Sequence, residues 1–181
     1  DILTKKGRLD KKAFNAVSLY ILANAGKEFS AENVANFYGK NNNTSISARS
    51  VYSYLERMEK AYLLHRVQKF NIVGKNALKN RDKFYAIDNG FRTINTNGFN
   101  IEDTFFLENV IYNELLYQGF EVYIGQTYKG EVDFVALKEG KKCFIQVCYL
   151  LASDTTIQRE FGAFSPITDA SPKYVLSLDK F

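Results

Sequence analysis

Carboxylate, amide and thiol side chains along the second half of the chain are its candidates for chemistry. Glu131 and Asp133 stand at the start of one strand-like stretch, and Gln146 and Cys148 lie two residues apart on the next. Residues two apart on a strand share one face. Twelve residues separate Asp133 from Gln146, which is enough for a strand, a tight turn and an antiparallel return. The spacing therefore predicts that these two side chains come together.

The elements that must position these residues follow an αβββαβ order. A helix is predicted over residues 101–118, because apolar residues repeat there at helical spacing and Gly119 supplies a stop. Glu108 borders the apolar face of this helix, where a carboxylate needs a partner or a metal ion. The following elements favour an α/β fold with helices packed on a mixed sheet. They are strands over 120–124, 132–137, 143–149 and 174–178 and a helix over 154–164.

The first half of the chain carries three predicted helices followed by two strand-like stretches. In the third helix Ser47 is the N-cap, and Val51, Tyr54, Leu55 and Met58 repeat at the spacing of one helix face. This order is typical of a winged helix, whose third helix enters the major groove of DNA while the hairpin, or wing, lies on the phosphates. The helices are predicted over 11–24, 31–38 and 47–60, and the strands over 63–72 and 83–87.

Polar and basic residues outside the apolar stripe are the candidate nucleic-acid contacts. On the third helix they are Arg49, Ser50, Ser53 and Arg57, and on the wing they are Lys69, Lys75, Lys79 and Arg81. Two alternatives stay open: winged helices also dock proteins, and exposed lysines often contact only solvent.

The charge of the chain is distributed unevenly between its halves. Residues 1–92 hold 17 Lys and Arg against 8 Asp and Glu, a net charge of +9, whereas residues 93–181 hold 7 against 12, a net charge of −5. A basic segment suits a polyanion such as double-stranded DNA. We therefore predict two domains, a winged helix over 1–92 and an α/β domain over 93–181.

The composition of the chain is that of a globular protein. Hydrophobic residues make up 46% and charged residues 24% of the chain, as in globular proteins. The longest unbroken apolar run has six residues where a membrane helix needs about 20, so no membrane partner is expected. No sequence resembling a signal peptide opens the chain. Cys143 and Cys148 are expected to be reduced thiols in a cytoplasmic protein, and with His65 as the single histidine a Cys/His zinc site is not expected.

Short motifs in both halves carry a family resemblance. They are Ser50-Val-Tyr-Ser-Tyr-Leu-Glu56, Lys83-Phe-Tyr-Ala-Ile-Asp-Asn-Gly-Phe-Arg92, Gly130-Glu-Val-Asp-Phe-Val135, Phe144-Ile-Gln-Val-Cys-Tyr149, Gln158-Arg-Glu-Phe161 and Pro172-Lys-Tyr-Val-Leu-Ser-Leu-Asp179. The acidic half resembles the PD-(D/E)xK nuclease superfamily, in which a helix glutamate, a strand aspartate and a Glu/Asp-x-Lys pair hold a divalent metal. Together the motifs look like the C-terminal region, a winged helix plus a DUF4143 domain, of bacterial and archaeal AAA+ ATPases.

Two departures from that resemblance bear on activity. No Gly-rich P-loop is present, so ATP is expected to act only through an upstream domain that this chain lacks. The Glu-x-Lys pair of active nucleases is Gln146-x-Cys148 here. The charged glutamate ligand becomes a neutral glutamine, and the lysine ammonium is lost. The resemblance therefore implies a remnant site of Glu108, Asp133, Gln146 and Cys148, with at most weak Mg²⁺ binding at Glu108 and Asp133.

The sequence thus predicts a DNA-binding or regulatory region of an AAA+ related protein with a degenerate nuclease-like domain and no catalysis in this chain. Two alternatives remain: an active Mg²⁺-dependent DNA endonuclease, and a protein-docking module for the ATPase portion.

Overall fold

The computed structural model describes residues 10–73, 82–95 and 103–180 of the 181. These residues fall into two compact units. The first draws on Asp1–Arg66 and Phe84–Ile101, and the second on Val67–Lys83 and Glu102–Phe181. The predicted division at residue 92 therefore differs from the observed one, because residues 67–73, 82 and 83 group with the second unit.

Three helices and a two-stranded sheet make up most of the first unit. The helices are α1 (Lys11–Ala23), α2 (Ala31–Asn42) and α3 (Ala48–Lys60). The strands β1 (Leu64–Val67) and β3 (Lys83–Ala86) pair with each other, and a short helix α4 (Asn89–Asn95) follows. The helices begin where side chains can accept hydrogen bonds from free backbone N–H groups, and these N-caps are Asp10, Ser30 and Ser47.

The core of the first unit is built on the apolar stripe of α3. Val51, Leu55 and Met58 are fully buried, and the Tyr54 ring meets the Phe14 ring of α1 edge to face, with centroids 5.5 Å apart. These are the positions that the periodicity predicted. Since α3 buries this face, its opposite face is exposed.

The second unit is a mixed five-stranded sheet with two helices, which confirms the α/β class. The strand order is β2-β4-β5-β6-β7, with β2 parallel to β4, antiparallel pairs β4–β5 and β5–β6, and β7 parallel to β6. The strands are β2 (Lys69–Asn71), β4 (Glu121–Thr127), β5 (Gly130–Lys138), β6 (Lys141–Val147) and β7 (Lys173–Leu176). The helices are α5 (Asp103–Tyr117) and α6 (Asp154–Gly162).

One predicted strand is split in two. The stretch 63–72 forms β1 and β2, and these two strands join different sheets. The tip of the predicted wing, with Lys75, Lys79 and Arg81, lies outside the described residues. Among the described residues no helix is long and apolar enough to cross a membrane.

A β-bulge in β5 places Phe134 against α5. Gly125 of β4 pairs with Val132 and Tyr123 pairs with Val135, so one residue of β4 faces both Asp133 and Phe134. The extra residue breaks the alternation of side chains between faces. Val132 and Val135 both join the apolar cluster with Phe164 and Ile167, whereas Phe134 packs against Tyr112 of α5.

Gly125 is required at this bulge by close packing. A Cβ atom built on Gly125 would lie 3.0 Å from Val132 Cβ, 3.1 Å from the Val132 carbonyl oxygen and 2.8 Å from Ile72 Cδ1. We expect Gly125→Ala to lower the free energy of unfolding by about 1–3 kcal/mol, because a well-packed site must shift to admit a methyl group. Urea unfolding measures this, with Gly162→Ala, where a Cβ meets nothing within 4 Å, as the matched control. Equal effects would contradict the packing argument.

Candidate functional site

A buried lysine lies among carboxylates on the α5 side of the second unit. The Lys83 side chain is 7% exposed, and its Nζ forms ion pairs with Glu108 Oε1 at 3.5 Å and with Glu131 Oε1. Glu108 is itself 3% exposed. Burial of an ammonium is unfavourable unless it is paired, and here two carboxylates from α5 and β5 pair with it.

A second lysine supports the same cluster. Lys69 of β2 is 4% exposed, and its Nζ lies 3.5 Å from Glu131 Oε2 and 3.3 Å from Gln126 Oε1. The parallel pairing of β2 with β4 brings Lys69 there. Its charge is therefore engaged inside the second unit, and we leave Lys69 out of the proposed DNA contacts.

Asp133 and Gln146 come together as the spacing predicts. Gln146 Oε1 accepts a hydrogen bond from the Asp133 backbone N–H at 3.3 Å, and Asp133 Oδ2 accepts one from the Val147 backbone N–H at 2.7 Å. The amide oxygen of Gln146 is thus engaged with backbone.

Opposing influences act on the acid–base state of the cluster. Burial and the neighbouring Glu108 carboxylate raise the pKa of Asp133 to about 8, against the lowering effect of the Val147 N–H and the Lys83 ammonium. Burial alone would lower the pKa of Lys83, but Glu108 and Glu131 outweigh it and hold that pKa above its ordinary value. At neutral pH the cluster therefore holds a charged Lys83 and a largely protonated Asp133.

Cys148 is a buried thiol that donates a hydrogen bond to the Leu150 carbonyl oxygen at 3.1 Å. Burial and the neighbouring Glu160 raise its pKa, so it is a weak nucleophile. Of the predicted remnant set, Glu108 pairs with an ammonium, while Asp133 and Gln146 meet through backbone hydrogen bonds. That ammonium comes from Lys83 and not from the strand position that Cys148 occupies.

The chemistry of this set does not fit a divalent metal. Mg²⁺ prefers carboxylate oxygens as ligands. Here Lys83 is paired with the carboxylates of Glu108 and Glu131, and the amide oxygen of Gln146 accepts a backbone hydrogen bond. Within 10–73, 82–95 and 103–180 no three His, Cys, Asp or Glu side chains are placed to hold a metal ion.

The predicted DNA contacts of the first unit lie on α3. Arg49 and Ser53 are exposed, while Ser50 and Arg57 are half-buried. The Ser50 hydroxyl lies 3.0 Å from the hydroxyl of the Ser47 cap, which engages it within the helix start. Toward the C-terminal end of α3, Lys60 pairs with Glu56, while Arg49 is an exposed cation near the N-terminal end.

The sequence reasoning missed Lys83 as a site residue. Its partners Glu108 and Glu131 are 25 and 48 positions away, so no local spacing connects them. The one available signal is a lysine opening the apolar run Lys83-Phe-Tyr-Ala-Ile87, where an unpaired ammonium would be costly.

Comparison with known proteins gives a family and two relatives. Residues 1–99 match the family described as a domain of unknown function, DUF8612. An uncharacterized protein of Haemophilus influenzae is 29% identical over 157 residues, which is 86% of this chain and 38% of the relative. The uncharacterized protein MJ1544 of Methanocaldococcus jannaschii is 31% identical over 154 residues, 83% of this chain and 31% of the relative. The chain thus spans about a third of the length of these curated relatives, and no solved structure matches it.

These matches correct the family prediction. The resemblance to the C-terminal region of DUF4143 AAA+ ATPases is wrong, because the matching family is a different one and neither relative carries that description. Docking to an ATPase portion loses its basis with it. Since the family match covers more than half of the residues, the chain belongs to the DUF8612 family.

Proposed function

We propose that this chain binds double-stranded DNA through its first unit, with α3 as the reading helix and the second unit as a non-catalytic, nuclease-like support. The observation that carries the proposal is the two-sided character of α3. One face is buried in the core, and the other presents exposed Arg49 and Ser53 near the N-terminal end. Reading helices contact base edges with that end.

The arrangement of the first unit supports this proposal. Three helices followed by a paired β1 and β3 have the order of a winged helix. Residues 1–66 and 84–101, which make up the first unit, hold 12 Lys and Arg against 7 Asp and Glu, and this net charge of +5 suits phosphates. In the second unit, the αβββαβ order with Asp133 beside Gln146 supports a nuclease-like arrangement. A neutral amide and the paired Lys83 argue against the metal-dependent endonuclease alternative.

Salt-dependent binding to duplex DNA is the expected result. Affinity should fall between about 50 and 200 mM salt with a log–log slope of about −0.9 per phosphate contacted. Arg49→Ala should weaken binding about ten-fold through a lost base or phosphate contact. Lys12→Ala, which removes the same charge from an exposed site on α1, is the matched control. Titration of a labelled duplex measures both.

Three outcomes would contradict the proposal. Absence of binding at low salt excludes DNA as the partner, and equal effects of Arg49→Ala and Lys12→Ala exclude α3 as the reader. Cleavage of the duplex with Mg²⁺ or Mn²⁺ by the unmodified chain, lost in Asp133→Asn, would establish the endonuclease alternative.

Protein docking is the second candidate function, and one observation favours it. Phe37 of α2 is 50% exposed and its ring packs on Tyr20 of α1, with centroids 4.6 Å apart. Aromatic residues are enriched where proteins bind each other. Phe37→Ser should leave DNA affinity unchanged if the two surfaces are separate.

A further inference from the structure

We propose that Lys83 is the resident cation of the carboxylate cluster in the second unit and holds the place that a divalent ion would need. This inference is independent of DNA binding by the first unit. Its basis is the geometry around one nitrogen: Nζ of Lys83 contacts Glu108 on α5 and Glu131 on β5.

Burial makes this pairing strong. Lys83 and Glu108 are less than a tenth exposed, so water screens their charges weakly. A dication entering beside the ammonium would meet a like charge at close range in the same weakly screened environment. Divalent binding therefore requires that Lys83 leave its partners.

The charges of the paired side chains balance without a metal. Glu108 pairs with Lys83, and Glu131 pairs with both Lys83 and Lys69. Two carboxylates thus meet two ammonium groups, and the formal charges of these four side chains sum to zero.

The first test removes the ammonium and supplies a metal ion. Lys83→Met keeps an apolar stem of similar length and removes the ammonium that pairs with Glu108 and Glu131, while Glu131 keeps its pair with Lys69. We expect Mn²⁺ in about ten-fold excess over its dissociation constant to raise the unfolding temperature of Lys83→Met by about 3–5 °C. The unmodified chain should show no shift under the same conditions.

The matched control is Lys69→Met. The Lys69 side chain is as deeply buried, and its Nζ pairs with Glu131 and lies 3.3 Å from Gln126 Oε1. With Lys83 still in place, Lys69→Met should gain no Mn²⁺ response. A double variant, Lys83→Met with Glu108→Gln, should lose the response that Lys83→Met gains.

Each remaining result overturns the proposal. Stabilisation of the unmodified chain by Mn²⁺, abolished by Glu108→Gln, would show that a metal and not Lys83 is the resident cation. A folded Lys83→Met variant without Mn²⁺ response would show that Lys83 holds no cation site. Lys83→Gln, which can hydrogen-bond to the carboxylates, provides a second variant. If both variants stay unfolded in millimolar Mn²⁺, the ion does not replace the ammonium and the proposal fails.

Discussion

Without added metal, Lys83→Met is expected to lower the free energy of unfolding by about 3–5 kcal/mol. The variant removes the Lys83 ammonium from the side chain of Glu108, which is 3% exposed, and removes one of the two ammonium groups that pair with Glu131. Breaking a buried ion pair costs more than the pair contributes, because a buried charge loses its counter-charge. Urea unfolding at pH 7.5 in the presence of a chelator measures the loss.

The pH dependence of this loss identifies its cause. At about pH 4.5 the carboxylates that lose the Lys83 ammonium can be protonated. The difference in unfolding free energy between Lys83→Met and the unmodified chain should therefore shrink. Lys69→Met should cost less at pH 7.5, because Glu131 keeps Lys83. A Lys83→Met loss below about 1 kcal/mol, or one that is constant with pH, would mean that the cluster contributes little through charge.

Part of this site could be predicted from sequence because part of it is local. Asp133 and Gln146 occupy consecutive antiparallel strands, and parity with a short turn brings them together. The bulge at Asp133 could not be predicted, since neither of the two bulged residues, Asp133 and Phe134, is a glycine or a proline. The position of Lys83 depends on contacts far apart in sequence, which no periodicity reports.

The same distinction between local and distant contacts applies to the fold. Helices with caps and apolar stripes, such as α3, follow from their own residues. The separation of β1 from β2 does not follow from local residues, because it depends on which strands they pair with. β2 pairs in parallel with β4, more than 50 residues later in the sequence. The family resemblance failed for a related reason. Short apolar strands flanked by acidic residues recur wherever an α/β sheet is built, so their order did not identify the family.

Asp133→Asn is expected to flatten the dependence of stability on pH. In the folded chain the pKa of Asp133 is about 8, and in the unfolded chain it returns to its ordinary acidic value. Between about pH 4 and pH 8 the folded state holds a proton that the unfolded state has released. Stability is therefore lost as the pH rises, by at most about 1.4 kcal/mol per pH unit.

Asparagine reproduces the protonated carboxyl without a proton to lose. Its amide oxygen can still accept the Val147 N–H, and it places no second negative charge beside Glu108. The variant should equal the unmodified chain near pH 4 and exceed it at pH 8, as measured by urea unfolding at several pH values. Asp154→Asn, at an exposed site on α6, should keep the original slope. If Asp133→Asn were the less stable chain at pH 8, the surroundings would stabilise the Asp133 carboxylate, and the pKa of Asp133 would not be raised in the folded chain.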